Sequence, residues 1–262
     1  MALMMSLSAA QAALGVGSGA LVGFALGLVG GGGSILAVPL LVYLVGVASP
    51  HEAIGTSAVA VAFNALLSLG AHARKGHVKW PCGLVFAGAG AIGAFGGSTL
   101  GKALNGEALL AVFGLLMVAI GVLSFVRRGQ EGEPLVRLSS QNAAPLIAAG
   151  LIAGALSGFF GIGGGFLIVP ALMMATGMPP IYAVGTSLVA VASFGAATAV
   201  NYALSGFVHW PLAALFVLGG ALGGRLGAGA AARLSLGKGR LEASFAVFVA
   251  LVGVYVVARA TL

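Results

Sequence analysis

Arg74 is the first lysine or arginine in the chain, and the residues ahead of it run in apolar stretches broken chiefly by glycine. Only 6% of the 262 residues are charged while 60% are hydrophobic, against about a quarter charged in ordinary soluble domains. So few charges cannot keep a folded surface wet, and lipid must be the solvent over most of it. The 45 glycines interleave with Ala, Leu and Val, as in transmembrane helices whose backbones approach closely. A membrane β-barrel would read as short alternating segments, which are absent. The expected fold class is an all-α polytopic membrane protein.

Several alternatives fall away on the same grounds. The Ala-rich start, residues 1–12, lacks the basic flank of a signal peptide and is expected to lead into the first membrane segment. One cysteine, Cys82, excludes an internal disulfide and a multi-cysteine metal site. The net charge of +7 comes from basic residues at the ends of apolar stretches. Membrane topology requires them there, so the expected partner is the bilayer and not nucleic acid.

The chain repeats itself. GLVGGGGSILAVP (27–39) is answered by GFFGIGGGFLIVP (158–170), AIGTSAVAVA (53–62) by AVGTSLVAVA (183–192), and GHVKWP (76–81) by GFVHWP (206–211). Three ordered matches at offsets of 131, 130 and 130 mark a tandem duplication. The expected organisation is a first membrane repeat at 1–126, a cytoplasmic link at 127–144 and a second repeat at 145–262.

Each half holds five apolar stretches, in the first half near 10–29, 34–47, 51–71, 81–101 and 107–126. The second is short for a span, which needs about 20 residues. It follows Gly30, Gly31, Gly32 and Gly33, a run expected to interrupt the helix. The first two stretches therefore make a helical hairpin turning on glycines, re-entrant or tightly spanning, with both ends on one side. Three further spans then give each half an odd number of crossings, so the halves form an inverted repeat of about 8–10 membrane segments. Treating 10–47 as one crossing gives eight spans and parallel halves instead.

Charge separates the two arrangements. Inversion gathers Arg74, Lys75, Lys79, Arg127, Arg128, Arg137, Arg225, Arg233, Lys238 and Arg240 on one side against Lys102 and Arg259, a split of 10 to 2. The parallel arrangement splits them 7 to 5. Positive residues favour the cytoplasm, so inversion is expected, with both termini outside.

In inverted-repeat transporters the substrate lies near the midplane, where broken helices of the two halves meet. The stretches after the glycines begin at Ser34 and Gly165, and helix starts carry backbone N–H groups without partners. Two such starts facing each other form a donor-rich cavity suited to a small oxyanion. The residues concerned are Gly30, Gly31, Gly32, Gly33, Ser34, Gly161, Gly163, Gly164 and Gly165. The structural alternative is that these glycines only let helices pack closely. Thr56 and Ser57, with Thr186 and Ser187, sit at the same distance beyond each turn; they serve as ligands or bond their own helix carbonyls. Asn64 and Asn201 face the cavity or bridge helices. Arg225 stands where the first half has Phe95, and either snorkels to the headgroups or attracts anions at the inner mouth. Ser49-Pro50-His51-Glu52 reads as a helix cap, and Trp80-Pro81 and Trp210-Pro211 as interface anchors.

Absences direct the chemistry. The chain has no Asp, and its five Glu residues (52, 107, 131, 133, 242) fall at segment ends or in the link. No carboxylate is placed to bind a bare cation inside the membrane. His51, His72, His77 and His209 lie near segment ends, so neither a metal site nor an enzyme is expected, and no cofactor is called for.

The duplicated glycine/VP block, the GTS after it and the length of the chain resemble the TauE/SafE family of sulfite exporters and sulfur-anion permeases, over nearly the whole chain. The resemblance implies export of sulfite or a related organosulfur anion through the bacterial inner membrane, with the glycine turns and the GTS residues where the family's motif lies. Two other functions remain open: a permease for a neutral or zwitterionic solute such as an amino acid, and a non-transporting scaffold or sensor. Self-association is also left open.

Overall fold

Apolar stretches bounded by Pro, Gly or a basic cluster become helices because a backbone in lipid must satisfy its own hydrogen bonds. A computed structural model describes residues 7–126, 138–161, 165–234 and 240–261. The helices are α1 (Ala9–Val29), a single turn α2 (Ala37–Pro39), α3 (Pro50–Arg74), α4 (Trp80–Lys102), α5 (Gly106–Val126), α6 (Ser140–Phe160), α7 (Gly165–Thr176), α8 (Pro180–Leu204), α9 (Trp210–Leu234) and α10 (Arg240–Thr261). There is no strand among the described residues. Six of the helices are long and apolar enough to cross a membrane, and shorter apolar ones accompany them.

Local signals set the helix starts. Ser49 Oγ accepts the Glu52 N–H at 3.3 Å and Pro50 takes the first position of α3. Ser139 and Asn142 close a reciprocal capping box that starts α6 inside the link expected at 127–144. Trp80 and Trp210 open α4 and α9 and are both exposed, as interface anchors should be.

α3 and α8 are the central pair, with 78% and 72% of their spans buried. They run antiparallel: Gly55 meets Tyr202, and Gly195 meets Ala62. The next layer pairs one half with the other. α1 lies parallel to α9, where Gly19 meets Phe216 and Gly227 meets Phe24; α6 lies parallel to α4, where Gly150 meets Phe86 and Gly101 meets Phe159. A Cβ at Gly19, Gly97 or Gly158 would collide with the facing backbone. This close approach replaces the hydrophobic drive that lipid cannot supply. α5 and α10 pack on each other antiparallel through Gly114 and Gly253.

The glycine run departs from expectation. Residues Gly30–Leu36 do not form an open turn but wind into a tight 3-10 helix directly after α1. Gly33 lies against the backbone of Ala25 and Leu26, so the chain has already doubled back on α1. A narrow winding free of Cβ atoms permits that approach. Beyond Pro39 the chain continues as a π turn, Leu40–Leu44, ahead of α3.

Candidate functional site

Both long entry helices stop at matching places. α1 ends at Val29, and α6 ends at Phe160 with Gly161 as its cap. Gly161 has φ of 67°, a left-handed conformation that costs an L side chain about 1–2 kcal/mol. A Cβ there would also strike the Ile54 side chain of α3. The Gly161 carbonyl accepts from Ser57 Oγ at 3.4 Å, while the same hydroxyl donates to the Ile54 carbonyl at 2.9 Å. The second glycine break is thereby seated on the central helix of the first half.

The first break is seated on the second half, since the 3-10 segment packs against α7 and α8. Ser34 within it is fully buried. Gly165 is the first residue of α7; Gly163 and Gly164 lie outside the described residues. Ser187 Oγ donates to the Val184 carbonyl at 2.8 Å, as Ser57 does to its own helix. Pro170 sits inside α7.

The threonines of the two GTS triplets do something the sequence did not suggest. Thr56 Oγ1 accepts the His209 N–H at 2.9 Å, and Thr186 Oγ1 accepts the Lys79 N–H at 2.9 Å. Lys79 and His209 are the residues just before α4 and α9. Each half therefore caps a helix of the other with a buried hydroxyl, satisfying a donor that the helix start leaves open. Gly55 and Gly185 admit the same loops, because a Cβ would strike the carbonyls of Phe207 and His77.

The two asparagines have opposite surroundings. Asn201 Nδ2 donates to Ser98 Oγ (2.6 Å), Thr99 Oγ1 (2.8 Å) and the Phe95 carbonyl (3.1 Å). Its Oδ1 accepts from Lys102 Nζ at 2.8 Å. Lys102 also donates to the Asn201 carbonyl and to Ser205 Oγ, so the lysine neutralises the end of α8. Asn201 thus bridges α8 and α4. Asn64 is 1% exposed, and neither its amide nitrogen nor its oxygen has a partner. It lies against Gly220 of α9.

Arg225 is exposed on α9, and its counterpart Phe95 is exposed on α4. The position thus lies on the outside of the bundle, which suits a snorkelling side chain. Among the described residues no group of three His, Cys, Asp or Glu comes together. The sequence passes over Ser68 and marks His72 only as a segment end, yet both are buried on the same face of α3 as Ser57 and Asn64. Their spacing of seven, four and four residues was the available signal.

The sulfite exporter TauE/SafE family model matches residues 15–256. The chain belongs to the TauE/SafE family. A "probable membrane transporter protein" of Xylella fastidiosa (strain Temecula1) is 51% identical over 249 residues, covering 93% of this chain and 94% of the relative. Another, YunE of Bacillus subtilis, is 33% identical over 77% of this chain and 81% of its own length. Sulfite exporter TauE/SafE family protein 1 of Arabidopsis thaliana is 40% identical over 78 residues, 30% of this chain and 17% of the relative. No solved structure matches. Membership makes the chain a membrane transporter.

Proposed function

We propose that this TauE/SafE family member carries a small sulfur-containing anion, such as sulfite, outward through the bacterial inner membrane. The anion binds between the two glycine breaks near the midplane, and the two halves insert in opposite senses. The observation that carries the reading is the crossed seating of the breaks: Gly30–Leu36 against α7 and α8, and Gly161 against Ser57 of α3. Whatever shifts one half must move the break of the other, as alternating access about a central site requires.

Helix directions support the opposed insertion. α3 lies parallel to α9 (Asn64 at Gly220, Ser68 at Gly224), and α8 parallel to α4 (Thr186 at Gly83, Phe194 at Gly90). With α1 parallel to α9 and α6 parallel to α4, α1 runs with α3, and α6 with α8. Each long helix of the first half then runs against its counterpart in the second, because α3 opposes α8 and α5 opposes α10. Anion chemistry is supported by the donors at the breaks. The start of α7 at Gly165 presents backbone N–H groups, and the chain has no Asp to repel an anion.

The test is flux in proteoliposomes with sulfite, sulfate, thiosulfate and alanine compared. Saturable sulfite movement, competed by thiosulfate and indifferent to alanine, is expected. Alanine movement without anion competition would replace the reading with a neutral-solute permease, and no flux of any solute would replace it with a non-transporting role.

A further inference from the structure

Three of the buried polar groups that the glycine breaks do not use line up on α3. Asn64, Ser68 and His72 stand four residues apart, within about 80° of arc on a helix of 3.6 residues per turn. Their exposures are 1%, 6% and 9%. Both amide atoms of Asn64 and the Nδ1 of His72 are buried without a partner. In a membrane interior such groups are held only at a cost unless something bonds them.

What faces the stripe is bare backbone. Asn64 abuts Gly220, and Ser68 Oγ stands 3.3 Å from where a Cβ on Gly224 would be. Gly23 of α1 closes on Gly220 from the third side, and its carbonyl also approaches Gly224. The seam between α1, α3 and α9 thus sets a line of polar groups against glycine backbone. It leads along α3 to the end that carries Arg74 and Lys75.

The other half fills the equivalent place. The counterpart of Asn64 is Phe194, whose ring occupies the space beside Gly90 and stacks on Phe86 at 5.9 Å. The duplication therefore kept the glycine-lined seam and set an aromatic ring on it in one copy and an amide in the other.

Resting on the transport reading above, we propose that Asn64, Ser68 and His72 form a binding station for a small oxyanion on the route between the glycine breaks and the basic end of α3. The Asn64 amide N–H groups and the Ser68 hydroxyl donate to the anion's oxygens, and the His72 ring lines the way out. Asn64 rests directly on Gly220, so the anion enters as α9 parts from α3. The seam on the α8 side, where Phe194 supplies no donor, does not serve as an equivalent station.

The test is sulfite flux in proteoliposomes, with Km and thermal stability measured on the same preparations of full-length protein. Asn64→Leu keeps the branched shape and removes an unpartnered amide, so it should unfold no earlier than wild type while its Km rises about tenfold or more. Ser68→Ala, a mild change, should raise Km about threefold, since a neutral hydrogen bond is the smaller loss. Phe194→Leu should leave Km unchanged. Wild-type flux with unchanged Km in both Asn64→Leu and Ser68→Ala would overturn the station alone. A Phe194→Leu effect as large as that of Asn64→Leu would overturn its one-sidedness. No sulfite flux in wild type would remove the transport reading and the station together.

Discussion

Thr56 and Thr186 illustrate how a residue can be marked by sequence and still take its role from a distant partner. Their position after each glycine block singled them out, but nothing in the triplet says that His209 or Lys79 will arrive from 153 or 107 residues away. Only tertiary packing brings those loops to Gly55 and Gly185. Removing either hydroxyl leaves an unsatisfied helix start. Thr56→Val and Thr186→Val should each lower stability by about 1–2 kcal/mol, by loss of a cap. Unfolding in detergent measures this, and the near-symmetry of the two contacts predicts near-equal losses. Unchanged unfolding in both would return the threonines to a ligand role. Asn201 and Lys102 are a second case: the sequence named the asparagine, while its bond to a lysine 99 residues away depended on how α4 meets α8.

At the scale of elements, the five apolar stretches of each half were legible because charges, prolines and glycines punctuate them, and the helices follow them closely. The winding of the glycine run was not. Whether four glycines open a turn or tighten into a 3-10 helix depends on what they pack against, here α1 itself at Ala25 and Leu26. Glycines also divide by element into two kinds with different expected phenotypes. Gly97 faces the backbone of Ala155 across the α4–α6 pair, so Gly97→Leu should yield little folded protein. Gly32 sits within the break, where a side chain should obstruct the site. Gly32→Leu should therefore give monodisperse, inserted protein with no sulfite flux. Size-exclusion profiles and flux measured side by side distinguish the two, and normal flux through well-folded Gly32→Leu would exclude the break as the site. The polar face of α3 was within reach of sequence reasoning by its spacing, but His72 was counted as a segment end and the stripe was lost with it.

For the whole molecule, the duplication and the charge split predict opposed halves. The pairing itself was not legible: every large contact between long helices joins one half to the other, and sequence identity between halves is silent on exchange. Topology follows from the opposed insertion. In a Cys82→Ser background, a cysteine at position 130 should resist a membrane-impermeant maleimide applied to intact cells, while one at position 4 should react. The reverse pattern would sink the opposed arrangement. Anion carriage through crossed glycine breaks is the central claim, and counterflow tests it most directly. Proteoliposomes loaded with unlabelled sulfite and diluted into labelled sulfite should take up label in a transient overshoot that Gly32→Leu abolishes and that alanine loading cannot drive. Absence of an overshoot with sulfite inside, or an equal one driven by alanine, would contradict the account.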